Sequence, residues 1–118
     1  MPMASQVLAA LVAVLHLYFL VLEMFLWTRP AGLRAFGQTR EQAEASRVLA
    51  ANQGLYNGFL AAGLLWSLLA PPALARPLRI FFLGCVIAAG LYGGATASRK
   101  ILLVQALPAA LALALVWA

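Results

Sequence analysis

Apolar residues along this chain fall into four long runs, which short polar or proline-containing segments separate. The runs cover residues 7–27, 48–69, 78–95 and 101–118. Each run is close to the roughly 20 residues that a helix needs to cross about 30 Å of hydrocarbon, and a helix satisfies its backbone polar groups internally. The pattern therefore predicts an all-α, polytopic membrane protein, a bundle of four transmembrane helices in which short connections make sequential helices antiparallel.

The segments between the runs carry residues that end helices. Residues 29–32 (RPAG) follow the first run, and Pro71, Pro72 and Pro77 follow the second. The longest connection is residues 28–47, in which residues 39–42 (TREQ) match the capping box that marks a helix start. We therefore predict a single membrane domain, residues 1–118, in which residues 28–47 form a loop with a helical extension of the second span.

Composition agrees with this class of protein. Hydrophobic residues make up 65% of the 118 residues and charged residues 9%, whereas about a quarter of residues in soluble domains are charged. The net charge of +5 comes from scattered bases that form no basic stripe interleaved with aromatic residues, so nucleic acid is not an expected partner. Cys85 is the single cysteine, so no intramolecular disulfide, no metal-binding cysteine pair and no CxxC motif are predicted. No metal site and no cofactor are expected.

Basic residues are unevenly distributed among the predicted loops. The first and third loops are flanked by Arg29, Arg34, Arg40, Arg47, Arg99 and Lys100, and the second by Arg76 and Arg79. Because loops rich in lysine and arginine stay on the cytoplasmic side, loops one and three are predicted to be cytoplasmic. Both termini are then expected outside.

Polar side chains interrupt the apolar runs, where hydrocarbon makes them costly unless they find partners or water. Counting from the predicted cytoplasmic ends at 1.5 Å per residue puts groups from all four helices roughly 6–8 Å deep, with others near the midplane. The resulting candidates for a ligand or proton site are Glu23, His16, Asn52, Gln53, Tyr56, Asn57, Tyr92 and Gln105. No catalytic residue is assigned.

Two of these candidates also have simpler interpretations. His16, alone on an apolar face, can donate to a backbone carbonyl or to Asn57. Glu23 can reach the cytoplasmic interface or form a salt bridge with Arg29 or Arg34. Both alternatives stay open at the level of the sequence.

Small residues repeat at four-residue spacing in two of the runs. Gly54 with Gly58, and Gly90 with Gly94, form small-xxx-small patterns that let helix backbones approach closely. The patterns favour packing within the bundle, and a homodimer through these faces is an alternative. Pro108 lacks a backbone N–H, so a kink is predicted in the last helix beside the polar layer.

Four motifs, in this order, resemble the bacterial and fungal membrane family catalogued as domain of unknown function 1304. The motifs are residues 23–27 (EMFLW), 52–60 (NQGLYNGFL), 89–93 (AGLYG) and 105–109 (QALPA). The resemblance spans nearly the whole chain and implies a four-helix membrane fold with no established activity. The expected location is the bacterial inner (plasma) membrane, with membrane lipids as partners.

Three functions are compatible with these residues. The first is binding or transport of a small amphipathic or lipid-like ligand in an intramembrane polar pocket near the cytoplasmic face. The second is a membrane-embedded enzyme acting on a lipid or isoprenoid, with Glu23 or His16 as the acid–base group. The third is a structural or assembly protein whose polar layer only fastens the helices. Since the sequence has no serine–histidine–acid set and no phosphate-cradling loop, we favour the first.

Overall fold

The computed structural model describes all 118 residues and consists of helices without a β-strand. The helices are α1 (Met3–Met24), α2 (Pro30–Phe36), α3 (Arg40–Ala45), α4 (Arg47–Leu69), α5 (Pro72–Thr96) and α6 (Arg99–Trp117). Helix α6 changes type along its length, because it is π-helical over Leu102–Ala106 and 3₁₀-helical over Leu115–Trp117. The predicted all-α class is confirmed.

Three helices, α1, α5 and α6, are long and apolar enough to cross a membrane. Helix α4, which covers the predicted span over residues 48–69, does not belong to this set. Its first half carries Arg47 and the polar side chains of Asn52, Gln53 and Asn57. The structure therefore supports a membrane protein with three candidate spans, and the fourth span stays a prediction.

Helix α1 lies earlier in the chain than the predicted span over residues 7–27. The Pro2 carbonyl accepts the first helical bonds, including one from the Ser5 N–H at 3.1 Å. After Met24 the chain turns, and the Arg29 N–H donates to the Leu26 carbonyl at 3.0 Å. Gly32 packs against this turn so closely that a Cβ there would overlap the Leu26 carbonyl oxygen.

Helix α5 also begins earlier than the predicted span over residues 78–95. Pro72 occupies its first turn, where the missing N–H of proline costs nothing because that group has no intrahelical acceptor. The sequence predicts that Pro77 lies in the connection before this helix. In the structure Pro77 lies inside the helix. The prolines therefore mark the start of α5 and one of its early turns.

The connection over residues 28–47 contains two short helices. The predicted capping box is confirmed, since the Thr39 side chain accepts from the Gln42 N–H at 3.2 Å and the Gln42 side chain accepts from the Thr39 N–H at 3.0 Å. The predicted extension of the second span is wrong in one respect, because α3 ends at Ala45 and is separate from α4. Ser46 leaves helical geometry with φ −109° and ψ 11°, and its hydroxyl donates to the Gln42 carbonyl at 2.9 Å, a local bond that competes with helix continuation.

The chain divides into two compact units, and the divisions fall within α1 and α4. One unit comprises Met1–Val14 and Leu60–Ala118, and the other comprises Leu15–Phe59. We call them the large unit and the small unit. Each has its own packing and its own buried polar groups.

The core of the large unit is built from small and branched side chains. Its fully buried members include Val12, Leu64, Leu83, Val86, Ala109, Ala112 and Val116. Gly90 lets α5 approach α6 closely, since a Cβ there would lie 2.8 Å from the Cβ of Ala106. The Gly90–Gly94 pattern therefore packs helices within the chain.

The kink predicted at Pro108 stays a prediction, and the structure has a π-helical stretch, Leu102–Ala106, that ends two residues before this proline. Proline cannot donate to the carbonyl four residues earlier, and its ring crowds that carbonyl. A wider π turn accommodates such a break in the α-helical ladder. Gln105 lies within this stretch and is half-buried.

In the small unit, the second part of α1 packs against the first part of α4 through glycines. A Cβ on Gly54 would lie 2.7 Å from Met24 Cγ and 3.1 Å from Glu23 Cβ, and one on Gly58 would lie 2.7 Å from Leu20 Cδ1. The small-xxx-small pattern of α4 is thus occupied by α1. This contact brings the polar residues of the two helices together.

Candidate functional site

The small unit contains a buried carboxylate that is paired with a buried amide. The Asn57 side-chain amide donates to Glu23 Oε1 over 2.5 Å, although the two residues are 34 positions apart. Glu23 is 7% exposed and Asn57 8% exposed. We call these two residues the carboxylate–amide pair.

The close approach of the two helices creates this pair. Gly54 and Asn57 lie three residues apart and therefore on one face of α4. Gly54 leaves room for Glu23, because a Cβ at position 54 would lie only 3.1 Å from the Glu23 Cβ, and the longer Asn57 side chain reaches the carboxylate. A larger residue at position 54 would force the helices apart.

The carboxylate–amide pair can form polar interactions beyond the hydrogen bond within the pair. A carboxylate held by one neutral donor keeps acceptor capacity for a proton, a cation or a hydrogen-bonding ligand. The sequence left two other interpretations of Glu23, a position at the cytoplasmic interface or a salt bridge with Arg29 or Arg34. In the structure the hydrogen-bond partner of the carboxylate is Asn57 of α4. The bond is charge-assisted when Glu23 is ionised, and such bonds are about twice as strong as neutral ones.

His16 lies on α1 two turns before Glu23 and is fully buried. Its ring meets the Phe19 ring edge-on, with centroids 5.4 Å apart. Four residues after Glu23, the Trp27 indole N–H donates to the Ser46 hydroxyl at 3.2 Å. The Trp27 ring is tilted by 52° against the Phe36 ring, with centroids 4.8 Å apart. These contacts of Trp27 join the turn after α1 to α2 and to Ser46, the residue before α4.

The other predicted site residues lie in different surroundings. On α4, Asn52, Gln53 and Tyr56 are exposed, and the Asn52 amide donates to the Val48 carbonyl of its own helix at 2.9 Å. Tyr92 is 74% exposed, and it belongs with Gln105 to the large unit. The structure thus brings Glu23 and Asn57 into contact, whereas a polar pocket formed by all eight residues stays a prediction.

A second buried polar cluster lies in the large unit and centres on Arg79, which is 1% exposed. Its Nε donates to the Ser67 hydroxyl at 3.3 Å and its Nη2 to the Ser67 carbonyl at 3.1 Å. Its Nη1 donates to Met1 Sδ at 3.3 Å and to the Ser5 hydroxyl at 3.5 Å. One guanidinium therefore joins the starts of α1 and α5 to the end of α4. From the sequence, Arg79 is predicted only as a basic residue beside the second loop.

A cavity of about 190 Å³ adjoins this cluster. It is lined by Met1, Gln6, Ser67, Leu68, Ala70, Pro72, Ala75 and Arg79. None of the predicted site residues is among them. The signals in the sequence were a basic residue inside an apolar run and two serines near the ends of other runs, but spacing alone does not reveal which side chains meet.

Comparison with known proteins identifies the family. Residues 10–117 match the family described as "Protein of unknown function (DUF1304)". The chain belongs to the DUF1304 family. A relative, "Uncharacterized protein YpaA" of Lactococcus lactis subsp. lactis (strain IL1403), is 34% identical over 115 residues, which are 96% of this chain and 96% of the relative. No solved structure matches the chain.

The resemblance inferred from the four motifs is thereby confirmed. The part of this DUF1304 protein that matches the family includes Glu23, Asn57, Ser67 and Arg79. The cavity residues Met1 and Gln6 precede the matched region. The family description names no activity.

Proposed function

We propose that this DUF1304 protein binds or transports a small amphipathic or lipid-like ligand, and that the carboxylate–amide pair contacts the polar group of that ligand. The buried hydrogen bond between Asn57 and Glu23 is the observation that carries the proposal. Glu23 belongs to a helix long and apolar enough to span a membrane. An ionisable residue inside such a helix marks a functional site by default, because burying it is costly.

The exposed polar residues of α4 supply a route to the pair. Gln53 lies four residues before Asn57 and Tyr56 lies three residues after Gln53, so these side chains neighbour one another along the helix. Gln53 and Tyr56 are exposed, whereas Asn57 is buried. A ligand that approaches this face meets exposed amide and phenol groups first and the buried carboxylate next, while surrounding apolar side chains contact its tail.

The proposal includes α4 as a fourth span. Its 23 residues measure about 34 Å at 1.5 Å per residue, enough to cross the hydrocarbon core. With four spans and the distribution of basic residues, loops one and three are cytoplasmic and both termini are outside. The membrane is the bacterial inner membrane, and the pair then lies toward the cytoplasmic leaflet.

The decisive experiment compares Glu23→Gln with Glu44→Gln. The first change keeps an oxygen that can accept from Asn57 but removes the charge, and the second removes the same charge from an exposed residue of α3. Small molecules and lipids that co-purify with each protein are measured by mass spectrometry, and uptake of the identified molecule is measured in liposomes. The amount of ligand that co-purifies with Glu23→Gln is expected to be about tenfold lower than with the native protein, because one charge-assisted hydrogen bond is lost.

Glu44→Gln is expected to retain the ligand of the unmodified protein. Circular dichroism of both variants shows whether the helices are intact. Identical co-purifying molecules and identical uptake in the native protein and in folded Glu23→Gln would contradict the proposal. A loss of thermal stability without a change in bound molecules would instead favour a purely structural role for the pair.

A further inference from the structure

Arg79 carries a buried positive charge whose observed acceptors are all neutral. Its side chain is 1% exposed, and its four hydrogen bonds go to two hydroxyls, one carbonyl and one thioether. The chain has three acidic residues, Glu23, Glu41 and Glu44, and all three belong to the small unit. Buried charges are ordinarily paired with an opposite charge, because uncompensated burial is costly.

Arg79 Nη1 donates the two weakest of these hydrogen bonds. Nη1 reaches Met1 Sδ at 3.3 Å and the Ser5 hydroxyl at 3.5 Å. A thioether is a poor acceptor, and a separation of 3.5 Å is at the outer limit of a hydrogen bond. An anionic oxygen would bind this nitrogen more strongly than either present partner.

The adjoining cavity gives such an oxygen a place to bind. Its volume is about 190 Å³, well above the roughly 10–15 Å³ that a cavity needs to hold one water. Arg79 and Ser67 form part of its wall, Gln6 adds an amide, and no acidic residue lines it. Leu68, Ala70 and Ala75 provide apolar surface beside the polar groups.

We propose that this cavity is an oxyanion site, in which Arg79 and Gln6 bind a phosphate group that belongs to a lipid headgroup or to a soluble phosphate. The planar guanidinium matches phosphate oxygens in geometry and stays charged when buried. Arg79 is the eighth residue of α5, about 10 Å along the helix from its start, a depth compatible with a headgroup. The site shares no residue with the carboxylate–amide pair, so each can be tested without the other.

The test uses the full chain purified in detergent and three variants. Gln6→Glu places a carboxylate at the cavity wall, where it repels a phosphate and can itself pair with Arg79. Arg79→Gln removes the charge, and Gln42→Glu is the matched control, because it adds the same charge at an exposed position where glutamate also fits the capping box. Native mass spectrometry measures binding of phosphatidylglycerol and of diacylglycerol, which lacks the phosphate, and thermal shifts measure the effect of inorganic phosphate against chloride at equal ionic strength.

The native protein and Gln42→Glu are expected to prefer phosphatidylglycerol, to be stabilised by phosphate, or both. Gln6→Glu and Arg79→Gln should weaken that binding about tenfold or more, the effect of losing a charge-assisted hydrogen bond. A response to the lipid alone identifies a headgroup site, and a response to inorganic phosphate identifies a soluble ligand.

The proposal is overturned if the native protein discriminates neither between the two lipids nor between phosphate and chloride. It is also overturned if Gln6→Glu binds as tightly as Gln42→Glu. Should Arg79→Gln fail to fold, Gln6→Glu decides, because Gln6 is exposed and its replacement leaves the hydrogen bonds of Arg79 with Ser67 in place.

Discussion

A carboxylate is tolerated among apolar helices here because an amide from another helix meets it. Asn57 donates to Glu23 at 2.5 Å, and both side chains are buried. Interhelical hydrogen bonds in membrane proteins average only about 0.6 kcal/mol, but a bond to a charged group is worth more, and losing it leaves the charge buried without its donor. Asn57 should therefore matter more to stability than the other amides of α4.

Replacement of Asn57 by alanine is expected to lower the free energy of unfolding by about 1–3 kcal/mol, the range for removing a partner from a buried charged group. Asn52→Ala serves as the control, because Asn52 is exposed and bonds only to its own helix, so its loss should cost about 0.5 kcal/mol or less. Thermal unfolding in detergent, followed by circular dichroism, measures both. Equal losses for the two variants would show that the pair contributes nothing special.

The sequence predicted some residue-level features and could not predict others. Glu23 and Asn57 stood out because polar groups are rare within apolar runs, and they do meet. The burial of Arg79 was not predicted, because the position of a residue along a run gives its depth but not the neighbours around its helix. Its partners Ser5 and Ser67 come from distant parts of the chain, and only the folded structure relates them.

At the scale of helices, glycine decides how closely α1 and α4 pack. A Cβ at Gly54 would lie 2.7 Å from Met24 Cγ, which is shorter than any ordinary carbon–carbon contact. By contrast, a Cβ at Gly84 in α5 would meet nothing within 4 Å. Alanine substitutions at Gly54 and Gly84 therefore measure how much the close packing at Gly54 contributes to the free energy of unfolding, with Gly84 as the control position.

Gly54→Ala is expected to destabilise the protein by about 1–3 kcal/mol, the usual cost of overpacking. Gly84→Ala should be neutral or stabilising by up to about 1 kcal/mol, because alanine is the better helix former. Thermal unfolding under the same conditions reports both. A Gly54→Ala protein as stable as Gly84→Ala would refute the close contact.

Hydrophobic runs predicted the long helices better than their ends. Each of the four predicted spans overlaps one long helix, because length and apolar content are properties of a whole segment. The ends of helices depend on single residues. Pro72 lies in the first turn of α5, where its missing N–H is harmless. Ser46 lies between α3 and α4, and its hydroxyl donates to the Gln42 carbonyl.

For the molecule as a whole, the number of spans decides the sides on which the chain ends lie. Three helices are apolar enough to cross a membrane, and three spans would put the two ends on opposite sides. Four spans, with α4 included, put both ends on the same side. The distribution of basic residues predicts that this side is the outside.

Single-cysteine labelling tests this arrangement in a Cys85→Ala background. Ala4→Cys and Ala118→Cys are expected to react with a membrane-impermeant maleimide on intact cells, whereas Gln38→Cys should react only after permeabilisation. Labelling of only one chain end on intact cells would show an odd number of spans. Labelling of Gln38→Cys alone would show that four spans are present with the opposite orientation.

Two arginines of α5 hold the two ends of the chain. Arg79 contacts Met1 and Ser5, and Arg76 donates to the Val116 carbonyl at 3.1 Å. An affinity tag fused before Met1 would therefore lie beside the cavity that Met1 lines. Gly37, which is exposed and ends α2 with φ 61°, is the better insertion point for a purification handle.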